Sequence, residues 1–332
     1  MQADKNDAEE GPPALLAVVG ATASGKTALA VELCLALGTG SGPARGVIGE
    51  VVSLDSMLVY RDLDLGTAKP GHAERRGVRH HLIDHVEPSE RYDVARYVAD
   101  ATAVEADCRA REVQPVFCGG TAFYLQALLF GLPSGPEVDR QLRTRLNAEY
   151  ERLGAEAAHA SLAGVDPALA ARVHPNDKKR VVRGLEVFTQ TGLPLSANEA
   201  SWLPEAQRRP ARLVLLESDT DELDARIAAR TRAMFAAGWP DEAARLGDQL
   251  GATAAAALGY REALAVARGE LALEAAIEQV TRATRQFARR QRTWLRRFQA
   301  LGLARVFPAP STTEDLERMA PEVLEYWFGA SD

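Results

Sequence analysis

The chain contains 332 residues, 46% of them hydrophobic and 26% charged, with a formal net charge of −7 at pH 7. These values describe a globular protein with one large core or two modest ones, and the net charge argues weakly against a nucleic-acid partner. No run approaches the roughly 18 consecutive apolar residues of a membrane helix, so we expect no membrane span.

Residues 1–13 carry four carboxylates and one lysine, a pattern unlike a secretory signal or an arginine-rich transit peptide. We expect a disordered tail there and a cytoplasmic location. The three cysteines, Cys34, Cys108 and Cys118, are far apart and form no C-x-x-C pair. Such spacing favours buried thiols in a reducing compartment.

The first apolar run, residues 15–19, leads into the pattern G-x-x-x-x-G-K-T and then into a helix predicted over 26–37. A glycine-rich loop between a strand and a helix is typical of phosphate binding, because backbone N–H groups and the helix dipole both favour an anion. Lys26 would add an ammonium group, and Thr27 a hydroxyl suited to Mg²⁺. The alternative is a glycine-rich turn that contains a lysine by chance. The loop residues are Gly20, Ala21, Thr22, Ala23, Ser24, Gly25, Lys26 and Thr27.

Three further apolar runs, at 51–54, 115–118 and 213–217, are separated by helical stretches. Short, continuously apolar runs of this kind form parallel sheets that are covered on both faces. Polar residues follow every run, at the edge of the sheet where ligands bind in such folds. The predicted fold class is therefore α/β, with a P-loop NTPase-like parallel sheet, helices on both faces and a helical insertion domain.

The insertion lies between the third and fourth runs, where the sequence becomes helical and charged. Leu142, Leu146 and Tyr150 recur there at helical spacing. The predicted division of the chain is a tail at 1–13, a first part of the core at 14–136, the insertion at 137–206, a second part of the core with arginine-rich helices at 207–310, and a C-terminal tail at 311–332.

Basic residues are concentrated in two places. Seven arginines lie between Arg282 and Arg297, and no acidic residue occurs from 279 to 313. A second cluster is formed by residues 178–183. On an acidic protein such clusters indicate a polyanionic partner. The alternative is a solvated helix face, which the lack of acidic residues four positions away makes less attractive.

Asp55 follows the second apolar run, at the ligand-binding edge of the predicted sheet. A carboxylate there can take a proton from a nucleophile or hold a metal ion, and the alternative is a helix cap. The pair His80 and His81 would suit a metal, but no second cluster of ligand residues has metal spacing. This favours a structural or hydrogen-bonding role for both histidines.

Two stretches of sequence after the loop are distinctive: D-S-M-x-V-Y-R at 55–61 and D-x-G-T-A-K-P at 64–70. Together with the G-x-T-A-S-G-K-T loop they make the chain resemble the tRNA dimethylallyltransferases, the tRNA isopentenyltransferase family. The resemblance runs from about residue 14 to residue 298 in the expected order. Further matching segments lie at 80–84, 92–97, 119–121, 176–187, 259–262 and 290–294.

The resemblance implies prenyl transfer from dimethylallyl diphosphate to N6 of the adenine immediately 3′ of the anticodon in tRNA. It implies that the whole loop binds the diphosphate, together with Arg226, and that Thr27 holds Mg²⁺. The catalytic residues it implies are Asp55, Thr27 and Arg230. Arg226 and Arg230 are four residues apart and share one helix face, which could instead be a solvated face.

The resemblance also implies a set of tRNA-binding residues. Those in the predicted insertion would contact the anticodon stem-loop, and the reacting adenine would leave its stack at small cost in a single-stranded loop. We expect a monomer that binds tRNA and dimethylallyl diphosphate. The implied tRNA-binding residues are Asp55, Ser56, Met57, Leu58, Thr121, Arg143, Lys179, Arg180, Arg183, Gly259, Tyr260, Arg261, Glu262, Arg289, Arg290, Gln291, Arg292 and Arg296.

The sequence departs from the family pattern at four places, one of which is a longer link at 40–49. Ala21 stands where the family has proline, Ala122-Phe123 where it has Gly-Leu, and Leu58 where it has a glutamine that borders the tRNA. None of these removes a residue assigned to the chemistry, but Leu58 predicts one missing polar contact to a nucleotide.

Three alternative functions remain open. An adenylate isopentenyltransferase would share the loop and the base but would have less need of an insertion that grips tRNA. A P-loop small-molecule kinase leaves the arginine cluster and the insertion unexplained. The joint presence of Lys26, Thr27, Asp55 and Arg230 argues against an RNA-binding module without catalysis.

Overall fold

A computed structural model describes residues 14–39, 46–132, 136, 139–199 and 208–329 of the chain. The tail expected at 1–13 lies outside these ranges. The chain divides into two compact units: a core unit, built from the chain before Phe130 and after Arg208, and an insertion unit, Phe130–Arg208. The insertion predicted from the sequence, 137–206, falls within the second unit.

The core unit is built on one six-stranded parallel sheet. Its strands are β1 (Leu15–Gly20), β2 (Ile48–Leu54), β3 (His80–His81), β4 (Val113–Gly119), β5 (Ala211–Glu217) and β6 (Ala304–Pro308). The order across the sheet is β3-β2-β4-β1-β5-β6, and every adjacent pair is parallel. The predicted α/β fold class is confirmed. The four predicted runs form β1, β2, β4 and β5, whereas the two edge strands were not predicted.

Helices connect the strands and make up the insertion unit. In the described ranges they are α1 (Lys26–Thr39), α2 (His72–Arg75), α3 (Val94–Ala110), α4 (Ala122–Phe130), α5 (Arg140–Leu153), α6 (Ala155–Val165), α7 (Pro167–Ala170), α8 (Lys178–Thr191), α9 (Leu195–Glu199), α10 (Thr220–Ala236), α11 (Trp239–Leu246), α12 (Tyr260–Ala267), α13 (Leu273–Ala300) and α14 (Thr313–Phe328). None of the helices in the described ranges is both long enough and apolar enough to cross a membrane.

Helices cover both faces of the sheet, which explains why its central strands are continuously apolar. All six residues of β1 are buried. On one face, Leu29 and Leu33 of α1 pack in the same cluster as Val18 of β1 and Trp327 of α14. Two further helices pack on the sheet: α3 contacts β4, and α13 contacts β1 and β6. With this strand order, right-handed connections between parallel strands put both of them on the face opposite α1.

The C-terminal residues do not form the tail predicted at 311–332. Most of them form α14, which begins at a capping box of Thr312 and Asp315 and packs along α1. Met319, Val323 and Trp327 are buried at helical spacing against the sheet. Pro321 inside the helix obscured this amphipathic pattern in the sequence, and residues 330–332 lie outside the described ranges.

The insertion unit has a hydrophobic core of its own. The predicted stripe of Leu142, Leu146 and Tyr150 is buried, and it packs with Leu162 of α6 and Val181 of α8. The buried hydroxyl of Tyr150 donates a hydrogen bond to the carbonyl of Pro175 over 2.7 Å. These contacts let α5, α6 and α8 form a small helical body around one core.

At the amino end of the sheet, a buried ion-pair network joins β2, β3 and α3. The Glu50 carboxylate accepts hydrogen bonds from Arg111 over 2.7 and 2.8 Å, and His81 Nε2 lies 2.6 Å from it. Ligand-type atoms of Glu50, His81 and Cys108 lie within 4.8 Å of one another. Because the Arg111 guanidinium already neutralises the carboxylate, the network supports the structural role expected for His81.

This network predicts a contribution to acid stability. The hydrogen bonds from Arg111 lower the pKa of Glu50 from an ordinary 4.5 to about 2. A depressed folded-state pKa stabilises the fold above the unfolded pKa, and that stabilisation is lost as pH falls from 4.5 toward 2. We expect Glu50→Gln to lower the free energy of unfolding at pH 7 by about 3 kcal/mol.

The measurement is urea unfolding of the wild type and the variant across the acid range. The difference between them should shrink as pH falls below 4.5. The exposed residue Glu325 on α14 supplies a matched control, since Glu325→Gln should leave the curve unchanged. A Glu50→Gln difference that stays constant with pH would contradict the assignment.

Candidate active site

The loop between β1 and α1 is shaped to receive an anion. Ala23 and Gly25 adopt left-handed backbone angles, with φ of 64° and 80°. Alternation between left- and right-handed residues turns successive N–H groups toward one concave side. The first turn of α1, which begins at Lys26, adds N–H groups that have no partner within the helix.

Lys26 lies half-buried beneath this loop. Its Nζ donates a hydrogen bond to the carbonyl of Ala21 over 3.3 Å. Burial lowers the pKa of Lys26, and the nearby Arg230 guanidinium lowers it further, while Cys118 and the Asp55 carboxylate oppose this. An anion bound in the loop would stabilise the charged ammonium group of Lys26 and offset part of the cost of its burial.

Arg230, on α10, reaches the loop from the other side. Its Nη2 donates a hydrogen bond to Thr22 Oγ1 over 2.6 Å. Burial lowers the pKa of Arg230, and the Asp55 carboxylate opposes that shift. The buried Nε has no hydrogen-bond partner among the described residues. Arg230 therefore keeps a donor and a largely desolvated charge beside the loop.

Asp55 begins the turn that follows β2. Its Oδ1 accepts hydrogen bonds from the backbone N–H groups of Met57 and Leu58 over 2.8 and 3.3 Å. This is a turn rather than the helix cap considered from the sequence, and Ser56, Met57 and Leu58 are half-buried within it. The same carboxylate lies close enough to Lys26 and Arg230 to influence both cations.

Thr121 is brought to the same edge of the sheet. It follows β4, and its N–H donates to the carbonyl of Leu54, the last residue of β2, over 3.2 Å. Asp55 is the next residue along the chain. The structure therefore places Thr121, Asp55 and the loop together at the carboxyl ends of adjacent strands.

The hydrogen bonds of Arg226 in the described part of the chain go to residues outside the loop. Its guanidinium donates to Glu222 and to the Ser311 hydroxyl, both over 2.6 Å, and to the Pro310 carbonyl. Pro310 itself lies against Gly25. Diphosphate binding by Arg226 stays a prediction that would require it to leave these partners.

The arginines of α13 are partly paired with acidic residues of neighbouring elements. Arg289 lies 3.7 Å from Asp224 of α10, and Arg296 lies 2.7 Å from Glu217 of β5. Arg292 donates to the Thr220 hydroxyl over 2.9 Å. The sequence showed no acidic neighbour along the helix, but tertiary packing supplies some. Arg290 is exposed, and the basic face that it shares with Arg289 and Arg296 is open to solvent.

In the insertion unit, four predicted tRNA-binding residues form a basic surface. Arg143 and Arg183 both donate to Glu186, whose side chain is fully buried, and the Arg183 hydrogen bond measures 2.7 Å. Lys179 and Arg180 are exposed in the first turn of α8. Glu186 therefore anchors two guanidinium groups that remain partly open to solvent.

Comparison with known proteins identifies the family. A family model described as IPP transferase matches residues 58–298, which is more than half of the chain. The chain belongs to the IPP transferase family.

Relatives and solved structures agree with this. A protein of Anaeromyxobacter dehalogenans (strain 2CP-C) named tRNA dimethylallyltransferase is 49% identical over 285 residues, covering 85% of this chain and 92% of the relative. A Methylococcus capsulatus protein of the same name is 45% identical, covering 87% and 91%. The crystal structure of a tRNA isopentenylpyrophosphate transferase from Bacillus halodurans superposes with a TM-score of 0.65 at 32% identity, covering 95% and 97%. A eukaryotic dimethylallyltransferase acting on tRNA shares the fold, with a TM-score of 0.77 at 24% identity, covering 96% and 81%.

Two residues of this IPP transferase for which tRNA contacts are predicted have buried side chains, and those contacts stay predictions. Tyr260 is only 2% exposed, and its hydroxyl donates to Glu242 over 2.6 Å. Gln291 is 6% exposed and points toward the loop rather than outward. Of the neighbouring residues, Arg261 is exposed and donates to Glu262, whereas Gly259 packs against the ring of Trp239.

Sequence reasoning missed Glu242 of α11. Its buried carboxylate accepts hydrogen bonds from the N–H groups of Asp64, Leu65 and Gly66 over 2.7 to 3.2 Å. Gly66 has no room for a side chain, because the rings of Trp239 and Tyr260 lie against it. In this IPP transferase Glu242 thus holds the D-x-G-T segment in place. An acidic residue at a buried position of an amphipathic helix was the signal that could have revealed it.

The three thiols of this IPP transferase are predicted to resist alkylation. Burial raises the pKa of Cys118 to about 11, opposed by Lys26 and Thr27, and burial likewise raises that of Cys108 to about 11. Burial raises the pKa of Cys34 well above its usual range. Because the thiolate is the reactive form, we expect no alkylation by iodoacetamide at neutral pH.

Mass spectrometry of the treated protein measures the number of adducts. The folded protein should carry none and the protein in concentrated guanidinium should carry three, one per cysteine. Rapid alkylation of a single thiol in the folded protein would show that one of these sites opens to solvent.

Proposed function

We propose that this protein transfers the dimethylallyl group of dimethylallyl diphosphate to N6 of the adenine immediately 3′ of the anticodon in tRNA, releasing diphosphate. The observation that carries the proposal is the convergence of a phosphate loop, two half-buried cations and one carboxylate at the carboxyl ends of adjacent strands. Membership of the IPP transferase family supports the same reaction.

In the proposed reaction, the loop stabilises the diphosphate leaving group. As the bond between the allyl carbon and the diphosphate oxygen breaks, its electron pair moves to the diphosphate, where negative charge develops. The inward N–H groups, Lys26 and Arg230 stabilise that charge in a partly desolvated site, where fixed donors act more strongly than in water. The two cations contact adjacent loop residues: Lys26 donates to the carbonyl of Ala21, and Arg230 donates to the hydroxyl of Thr22.

Asp55 acts on the acceptor. The exocyclic amine of adenine is a poor nucleophile, and it must lose one proton as its new bond to carbon forms. A carboxylate held by the Met57 and Leu58 N–H groups can orient that amine and accept the proton. Thr121 lies beside it and is a suitable contact for the same base.

The residues present fit a magnesium ion. Thr27 places a hydroxyl in the first turn of α1, next to the loop, and Mg²⁺ prefers few protein oxygens together with substrate phosphates. Thr27 would hold the ion, which would neutralise part of the diphosphate charge when bound.

For tRNA, the exposed arginines of α13 and the basic surface of the insertion unit are suited to phosphate contacts. Such contacts make affinity fall steeply with salt. The reacting adenine would be extruded from an anticodon loop that is already single-stranded. We further propose that the protein works as a monomer in the cytoplasm.

The deciding experiment incubates the purified protein with Mg²⁺, labelled dimethylallyl diphosphate and unmodified tRNA. Nuclease digestion and mass spectrometry then locate the label. A control tRNA carries guanosine in place of the adenine immediately 3′ of the anticodon, and parallel reactions offer AMP or ATP as acceptor.

Label on the adenine beside the anticodon, and none on the control tRNA, is the expected result. Label on free nucleotide alone would instead assign the protein to the adenylate isopentenyltransferases. Transfer of the γ-phosphate of ATP without any prenyl transfer would contradict the proposal and favour the alternative function of a small-molecule kinase.

A further inference from the structure

Gln291 occupies an unusual position in α13. Its Oε1 accepts a hydrogen bond from the N–H of Thr22 over 2.9 Å, and its Nε2 donates to the carbonyl of Gly120 over 3.0 Å. One buried amide therefore bridges the phosphate loop and the turn after β4. Both bonds use backbone atoms, so the bridge depends on Gln291 and not on the side chains it meets.

The surroundings leave the amide little freedom. A Cβ atom added at Gly120 would lie 2.3 Å from Nε2 of Gln291, so only glycine allows this approach. The two partners also fix the orientation of the amide, because an N–H requires the oxygen and a carbonyl requires the nitrogen. The two hydrogen bonds therefore allow only one orientation of the Gln291 amide.

The residue it holds, Thr22, is restrained from two sides. Gln291 takes its N–H, and Arg230 donates to its hydroxyl. The next residue, Ala23, has the left-handed backbone that aims the loop N–H groups inward. A loop residue in that conformation is strained and needs its neighbours to hold it. Because Thr22 is restrained, it can hold Ala23 in this conformation at the point where the loop turns.

The chain neighbours of Gln291 face the other way. Arg290 is exposed and Arg292 is half-buried, while Gln291 is buried. One turn of α13 therefore presents arginine to solvent and an amide to the loop. The residue falls in a segment where tRNA contacts are expected, but its own contacts are with the diphosphate side.

We propose that Gln291 is a positioning residue for the diphosphate loop and takes no part in tRNA binding. This rests on the proposed function, because it assigns the loop to the prenyl donor. Loss of the bridge should weaken donor binding and transfer while leaving the affinity for tRNA unchanged.

The test compares Gln291→Met with Arg290→Gln. Methionine keeps the length and much of the volume of glutamine but can make neither hydrogen bond. Arg290→Gln removes an exposed charge one residue away. Calorimetry measures the affinity of each protein for inorganic pyrophosphate with Mg²⁺, filter binding measures tRNA affinity, and steady-state kinetics give KM and kcat for dimethylallyl diphosphate.

We expect Gln291→Met to weaken pyrophosphate binding and kcat/KM for the donor by about 10- to 100-fold, since two buried hydrogen bonds are lost. Its tRNA affinity should stay within about twofold of the wild type. Arg290→Gln should show the reverse pattern. Gln291→Glu keeps the oxygen that faces Thr22 but loses the bond to Gly120 and adds a negative charge beside the loop, so it should weaken pyrophosphate binding at least as much, again with tRNA affinity near that of the wild type.

Weaker tRNA binding by Gln291→Met with unchanged pyrophosphate affinity would overturn the inference. So would wild-type behaviour of this variant in both assays. If Gln291→Met does not fold, the comparison of Gln291→Glu with Arg290→Gln answers the same question. A wild-type protein that transfers no prenyl group would instead overturn the proposed function, so the two failures are distinct.

Discussion

Replacement of Asp55 by asparagine is expected to reduce prenyl transfer to tRNA by about 10²- to 10⁴-fold, the range typical for loss of a general base. Asparagine retains an Oδ1 that can accept from the N–H groups of Met57 and Leu58, so the turn after β2 should persist. What it cannot do is take the proton from N6. The measurement is kcat in the labelled-tRNA assay with both substrates saturating.

Pyrophosphate binding separates this effect from damage to the loop. Asp55 is a negative charge beside Lys26 and Arg230, so its neutralisation should leave pyrophosphate affinity equal to or above that of the wild type. Asp62→Asn, the same chemical change at an exposed aspartate with no assigned role, serves as the matched control and should keep most of the activity. A near wild-type kcat for the Asp55→Asn enzyme would show that Asp55 is not the general base.

Replacement of Glu242 by alanine is expected to lower the free energy of unfolding by about 4 kcal/mol. The substitution leaves the N–H groups of Asp64, Leu65 and Gly66 and the hydroxyl of Tyr260 without their acceptor. Buried donors that lose their partner carry the full desolvation penalty of about 1–3 kcal/mol each, reduced by whatever water enters. Urea unfolding followed by circular dichroism measures the change.

Two further variants define the origin of that loss. Tyr260→Phe removes one donor and should cost about 1 kcal/mol, and the double mutant should be less destabilised than the sum of the two single mutants. Asp241→Ala changes the exposed neighbour on the same helix and should cost less than about 0.5 kcal/mol. An effect of Glu242→Ala no larger than that of Asp241→Ala would show that the carboxylate does not hold the D-x-G-T segment.

The parts of the fold that were predictable are those that depend on local pattern. A strand buried on both faces is largely apolar, and the runs at 15–19, 51–54, 115–118 and 213–216 in β1, β2, β4 and β5 show this in the sequence. The phosphate loop was equally predictable from the sequence, because its glycines and lysine occur at fixed spacing. Asp55 and Thr121 followed from the rule that ligands bind at the carboxyl ends of parallel strands.

The features that were missed depend on contacts between distant parts of the chain. β6 is an edge strand with Arg305 and Val306 exposed, so it lacks the apolar run that marks a central strand. Nothing in the sequence near Gln291 indicates that it meets Thr22 and Gly120, because those contacts exist only after α13 packs on the sheet. A motif shared with a family showed that the segment matters but not which way each side chain points.

The order of the strands has a consequence for how this protein is made. β1, which ends in the phosphate loop, lies between β4 and β5, and the whole insertion unit separates those two neighbours in the chain. Until residue 217 has been synthesised, β1 has an open edge, and pairing across so long an interval is slow. The insertion unit has its own core and can fold earlier, which would shorten the loop that must close. The proposed diphosphate site is therefore completed late in synthesis. A nascent chain that stops after the insertion unit carries the phosphate-loop sequence but lacks β5 and β6 of the sheet.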